Sequence, residues 1–200
     1  MNYGSIRSHF KALLNRSDIT DALADTFLDQ GIARIQRSLR IPAMEKRYNY
    51  TVAASTPHVL VPNDFLEVIS ISHDNHELER LPMSEMLDRK KTGESGDPHF
   101  FTREGGRFLL SPEPTSGTVT VYYYGQFAEM TDDTSENILA KVASDLIIYA
   151  ALTYAADYYL DERAALYEQK YVQFMTELQE QANDAETTGT LQKIRPSYTL

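Results

Sequence analysis

Between Leu146 and Ala156 the chain reads LIIYAALTYAA, a run whose one polar interruption is Thr153. A helix built from it has almost no hydrophilic face and must be surrounded by protein. At eleven residues it is well short of the roughly 20 that a membrane span requires. After the Asp157-Tyr158-Tyr159 shoulder, Leu160, Ala164, Tyr167, Tyr171, Phe174 and Leu178 recur in steps of four and three, which keeps side chains on one stripe of a helix. Glu162, Gln169, Gln173 and Glu180 occupy the wet face. The stretch from Asn137 to Glu186 therefore predicts a buried helix followed by a longer amphipathic one. The second packs back on the first, or onto a neighbouring copy, as an antiparallel hairpin. The expectation is that other protein chains cover this pair, with Tyr167, Tyr171, Phe174 and Leu178 as hairpin-packing or oligomer contacts.

The N-terminal third is also helical. Residues 3–14 place Ile6, Phe10, Leu13 and Leu14 at helical spacing. Ser17 reads as the N-cap of a second helix, with Asp18 and Asp21 in its first turn. That helix carries Ile19, Leu23, Phe27, Leu28, Ile32, Ile35 and Leu39 on one broad face. Arg34, Arg37 and Arg40 load its C-terminal end, and Pro42 stops it.

From Arg47 the period drops to two. Strands are expected at Tyr48 to Val52, His58 to Val61 and Phe65 to Ser72, the last two separated by Pro62-Asn63-Asp64. Asp74-Asn75 turns the chain into a short strand from His76 to Leu81, and Met83 to Lys90 suits one or two helical turns. Strands Phe100 to Arg103 and Arg107 to Ser111 flank Gly105-Gly106, a dipeptide at home in a hairpin turn that needs positive φ. Thr118 to Tyr124 closes the set. Helix then resumes behind the capping residues Asp133-Thr134-Ser135-Glu136, with a second start at Ser144-Asp145, so that Asn137 to Val142 forms a separate short helix.

The fold class that results is α+β: an α-helical bundle with an inserted antiparallel β-sheet or sandwich and an extended C-terminal arm. Residues 1–46 and 127–186 form the bundle, 47–126 the insertion and 187–200 the arm. Leu191, Ile194, Tyr198 and Leu200 give that arm the apolar side chains with which to add to a neighbour by edge or groove. Two hundred residues with 42% hydrophobic content suit one unit with an insertion. The start has no apolar core of a signal peptide, so a non-exported, soluble protein is expected.

Charge is unevenly placed. Residues 1–60 hold eight basic against five acidic residues, 61–126 six against eleven, and 127–186 three against thirteen, within a net charge of -10. Sequence-nonspecific DNA binding through the acidic third is disfavoured, because phosphate contacts need Lys and Arg.

Reactive chemistry is thin. The chain contains no cysteine, which removes disulfides, thiolate zinc sites and cysteine nucleophiles. His73 and His76 straddle a turn without a third histidine nearby, so no metal is expected there. Asp132, Asp133 and Glu136 are explained by capping before any acid-base role. Nucleotide-binding, serine-hydrolase and zinc-protease motifs are missing, and no catalytic residue, cofactor or metal is expected. Arg89-Lys90-Lys91 reads as a solvated loop edge. The thirteen tyrosines are more than a core of this size needs, which suggests surfaces that meet protein.

Several motifs resemble the adaptor proteins of tailed bacteriophages, the group that includes tail tubular protein A of short-tailed phages. They are Pro62-Asn63-Asp64-Phe65-Leu66-Glu67-Val68, Phe100 to Phe108 with Ser111-Pro112-Glu113-Pro114, Val121-Tyr122-Tyr123-Tyr124-Gly125, Thr131-Asp132-Asp133 and Asp145 to Leu152. The resemblance spans Ser17 to Tyr171 and departs from the family at Ser144, where proline is expected. It implies a homo-oligomeric ring, typically of twelve copies, between the portal protein and a tail nozzle or tail tube protein. DNA would pass through that ring without specific binding, Glu162 and Glu180 being candidates to face the channel. It also implies a virion protein assembled in the host cytoplasm, with no membrane association. A small DNA-packaging or DNA-processing accessory factor is the alternative, and a virion hydrolase a third reading that lacks a convergent polar pocket.

Overall fold

The computed structural model describes residues 1–54, 56–91 and 93–187. The chain separates into two compact units, one made of Met1–Ala43 and the chain from Phe127 onward, the other of Met44–Gln126. The fold is α+β, with helices in the first unit and two antiparallel-rich sheets in the second.

In the helical unit, α1 (Tyr3–Leu14) is capped by Asn2, whose side chain accepts the Ser5 N–H at 2.9 Å. It ends on Asn15 at φ 54°, a conformation that asparagine tolerates. α2 (Asp21–Ser38) starts at Thr20 rather than at Ser17, because the Thr20 hydroxyl accepts the Leu23 N–H at 3.2 Å. Asp18, expected in the first turn, is drawn instead to the Arg16 guanidinium at 2.7 Å. Ile19 is buried without being helical. A turn of 3-10 helix at Pro42–Met44 follows α2.

After the second unit, Asn137 caps the short α4 (Ile138–Val142). Its side chain accepts the Ala140 N–H at 2.8 Å and donates to the Ala128 carbonyl at 2.9 Å. The capping expected from Asp133 to Glu136 does not occur. Asp132 closes a turn of its own on the Thr134 N–H and hydroxyl, at 2.9 and 2.6 Å. A break at Ala143, with φ -141° and ψ 55°, separates α4 from α5 (Ser144–Tyr159). The separate short helix and the second start both hold.

α5 buries Leu146, Ile147, Ile148, Ala150, Ala151, Leu152, Ala155 and Ala156 against α1, α2, α4 and α6 (Ala164–Thr187). Its cover thus comes from its own chain, which corrects the expectation that other chains supply it. Small side chains allow the close approach: a Cβ on Gly31 of α2 would lie 2.8 Å from the Ala151 nitrogen. Leu160 does not join the apolar stripe. It sits at φ 53° as the left-handed C-cap of α5 and is 88% exposed.

The second unit contains β1 (Glu45–Thr51), β2 (His58–Leu60), β3 (Phe65–His73), β4 (His76–Glu77), β5 (Glu79–Arg80), α3 (Met83–Lys90), β6 (Phe100–Glu104), β7 (Arg107–Ser111) and β8 (Thr118–Gly125). One sheet runs β1-β8-β3-β4 and the other β2-β7-β6-β5. Pairing is antiparallel except between β5 and β6. The single strand expected from His76 to Leu81 is divided: the two residues before the buried Leu78 pair in the first sheet, and the two after it pair in the second. Ile71, Val119, Val121 and Tyr123 from one sheet meet Val59, Phe101, Phe108 and Leu110 from the other in a common core, the arrangement of a small sandwich. Gly105 turns the β6–β7 hairpin at φ 56°.

Candidate functional site

Arg34 organises the contact between α2 and α6. Its guanidinium donates to both Glu168 carboxylate oxygens, at 2.9 and 2.6 Å, and to the Thr153 hydroxyl at 3.1 Å, while lying 4.0 Å from the centre of the Tyr171 ring. Hydrogen bonding to Arg34 holds the Glu168 carboxyl below its ordinary range. A turn further on, the Arg40 N–H donates to Gln179 Oε1 at 3.1 Å, and Gln179 Nε2 donates back to the Arg40 carbonyl at 2.7 Å. Arg34, placed by sequence at a helix end, therefore ties a distant helix down, while the Arg40 guanidinium keeps the expected end-of-helix role, donating to the Gln36 and Leu39 carbonyls at 3.1 and 2.7 Å. The acid that Arg34 meets lies on another element far along the chain.

Tyr167 and Tyr171 are buried, and Phe174 and Leu178 are half-buried. The Tyr149 ring sits 6.2 Å from that of Tyr167 and 5.5 Å from that of Phe174. The Tyr167 hydroxyl is buried without a hydrogen-bond partner among the described residues. Glu162 and Glu180 are both exposed, although Glu162 lies in the turn before α6 rather than on it. In that turn Arg163 bonds Asp161 and donates to the Leu13 and Leu14 carbonyls, closing the end of α1. Its guanidinium pulls the Asp161 carboxyl down to about 2. Leu191, Ile194, Tyr198 and Leu200 lie outside the described residues.

Two depressions mark the surface of the helical unit. A cleft of about 550 Å³ is lined by Tyr3, Arg7, Asp25, Asp29, Gln36, Phe127, Glu129 and Met130 among others. Arg7 pairs with Asp25 and, at 2.8 Å, with Asp133, while the Tyr3 hydroxyl donates weakly to Asp29 at 3.4 Å. Burial, helped by the charges of Asp25 and Glu129, raises the Asp29 carboxyl. A shallower groove of about 390 Å³ runs between α2 and α6 past Arg34, Arg37, Val172, Met175 and Thr176.

The β unit holds its polar residues in local pairs. Asp64 accepts from Lys46 and, at 3.0 Å, from the Tyr123 hydroxyl. Burial works to raise the Asp64 carboxyl, but these bonds outweigh it and hold it below the usual range. Burial beside Asp64 also pushes the Tyr123 hydroxyl up to about 12. His73 is buried with Nε2 at 3.0 Å from the Ser116 carbonyl, whereas His76 opposite it is exposed. Among the described residues no group of three or more His, Cys, Asp or Glu is placed to hold a metal ion. The basic triplet is occupied locally: Arg89 lies 4.1 Å over the Phe100 ring, Lys90 pairs with Glu113 at 2.9 Å and Lys91 with Asp88 at 2.6 Å. Asp132, Asp133 and Glu136 also have separate partners, Glu136 reaching Lys141 at 3.5 Å. No helix among the described residues is long and apolar enough to cross a membrane.

Surfaces for protein contact are thus the features that stand out, and the comparisons with known proteins agree. The family model described as SU10 adaptor protein matches residues 1–193. No curated protein matches the chain. With nearly its whole length covered, the chain belongs to the SU10 adaptor protein family, which bears out the resemblance to bacteriophage adaptors. It is a phage adaptor, a structural protein of a kind that associates with other head and tail proteins.

Proposed function

We propose that this SU10 adaptor family member works as a head-to-tail connector. Copies form a ring, twelve in number, that joins the portal protein to a tail nozzle or tail tube protein and surrounds the channel through which DNA leaves. It is placed in the virion after assembly in the host cytoplasm, and it performs no catalysis. The observation that carries this reading is the family match over residues 1–193. Two physical features support it. Thirteen acidic against three basic residues over 127–186 make a surface along which DNA slides without adhering, with Glu162 and Glu180 exposed where they can face a lumen. The arm bearing Leu191, Ile194, Tyr198 and Leu200 supplies a docking segment for the portal or a neighbouring copy.

The test is the mass of the purified chain with and without portal protein. A fixed stoichiometry in a closed ring is expected, and an adaptor that ignores the portal would contradict the reading. Deleting residues 191–200 is expected to weaken portal docking while leaving the helical circular dichroism signal unchanged. Loss of folding in that deletion would overturn the role given to the arm.

A further inference from the structure

The two depressions of the helical unit carry opposite charge and lie on different flanks of α2. Asp25, Asp29, Ile32 and Gln36 follow the i, i+4, i+7, i+11 spacing that keeps side chains on one side of a helix, and all four line the larger cleft. Arg34 and Arg37 line the groove against α6. The buried side chains Phe27, Leu28 and Ile35 attach α2 to the core and set the two flanks apart.

Each flank keeps charge that the described residues leave uncompensated. Arg37 is exposed, and among the described residues its guanidinium meets one neutral group, the Tyr154 hydroxyl at 3.2 Å. Val172 beside it is 50% exposed, and Met175 is half-buried. Across α2, Asp25 is answered by Arg7, but among the described residues Asp29 has only the long bond from Tyr3. Glu129 makes no ion pair among the described residues and adds its charge to that of Asp29.

Resting on the reading of the chain as a ring former, we propose that the groove between α2 and α6 is the seat of a second copy of this chain. The acidic flank of that copy, Asp29 with Glu129, docks on Arg37, and its Met130 packs on Val172 and Met175. Two different surfaces meet in such a contact, so it is heterologous and repeats from copy to copy until rotation closes it into a ring. A two-fold contact through either flank would instead set acid against acid or arginine against arginine. A cation arriving from the neighbour also relieves the repulsion that Asp25 and Glu129 impose on Asp29.

The experiment is charge reversal read by native mass spectrometry over a range of concentrations, with circular dichroism as the check on folding. Arg37→Glu, Asp29→Arg and Glu129→Lys are each expected to keep the parent's helical signal. Each is expected to weaken association by about tenfold to a hundredfold, the scale of a like-charge pair at an interface. An equimolar mixture of Arg37→Glu and Asp29→Arg chains is expected to assemble again, because alternating copies restore an opposite pair at every junction. Lys170→Glu, on the far side of α6, serves as the control and is expected to assemble like the parent. Single reversals that assemble as well as the parent, or a mixture as dissociated as its components, would overturn this interface and leave the ring reading standing. A parent chain that stays monomeric with and without portal protein would remove the ring reading itself and the interface with it.

Discussion

α5 and α6 are neighbours in sequence and in space, yet they answer to different demands. α5 is apolar nearly all round, and its own chain covers it: α1, α2, α4 and α6 leave Leu146, Ile147, Ala150, Ala151 and Leu152 without measurable or with almost no solvent contact. α6 commits one stripe to that core, through Tyr167 and Tyr171, and turns its remaining faces to solvent. Leu166 and Val172 remain about half exposed on it. A greasy helix is therefore a poor guide to where an oligomer forms, because greasiness is a reason for the chain to bury the helix itself. The half-used helix beside it is the one on which the proposed contact is placed.

The sharpest way to break this comparison is to place a charge on each helix. Ala151→Asp is expected to cost about 3–5 kcal/mol or to unfold the unit, because the carboxylate has no partner and no route to water. Val172→Asp is expected to stay within about 0.5 kcal/mol of the parent in stability. Equal effects in denaturant melts would erase the distinction between the two helices.

The next largest effect is steric. A methyl added at Gly31 would press on the backbone nitrogen of Ala151 at 2.8 Å, and backbone cannot rotate aside as a side chain can. Gly31→Ala is expected to destabilise by about 1–3 kcal/mol despite its better helix propensity, as overpacking does. A stabilised variant in thermal unfolding would mean that α2 and α5 are not in close contact.

Smaller again is the attachment of α6. Arg34→Ala removes a bidentate ion pair, a bond to Thr153 and the contact with the Tyr171 ring, and is expected to cost about 1–2 kcal/mol, since the pair is partly exposed. Its pH dependence has a definite sign. The folded state holds the Glu168 carboxyl below its ordinary value of 4.5, so this contribution is complete above that pH and is lost as acid is added. The gap between parent and Arg34→Ala is thus expected to narrow from neutral pH towards pH ~3, following the linkage between protonation and folding. A gap that stays constant would show that the ion pair is not what holds α6. Arg37 has no carboxylate partner among the described residues, and Arg37→Ala is expected to change stability by less than about 0.5 kcal/mol.

Much of this arrangement is legible in the sequence, and the misses have physical causes. The α5 run, the Tyr167–Tyr171 stripe and the Gly105-Gly106 turn are local patterns, and local patterns survive into the fold. Thr20 displaced Ser17 as a cap because its hydroxyl reaches the Leu23 N–H while Asp18 is taken by Arg16. Leu160 left the stripe because the chain must reverse there, and the reversal takes a left-handed residue whatever its side chain. The split of His76 to Leu81 between two sheets depends on strands that lie apart in sequence. The pairing of Arg34 with Glu168 is equally long-range, and spacing along α2 says nothing of which carboxylate will answer it.

In the proposed ring α5 is finished within one chain, and assembly uses the outer faces of α2 and α6. Hydrogen exchange of the dilute monomer against the assembled ring tests this most directly. The amides of Leu146 to Ala156 are expected to be equally protected in both states, while residues 168–179 of α6 are expected to gain protection on assembly. Fast exchange of α5 in the monomer, slowed only in the ring, would contradict that arrangement.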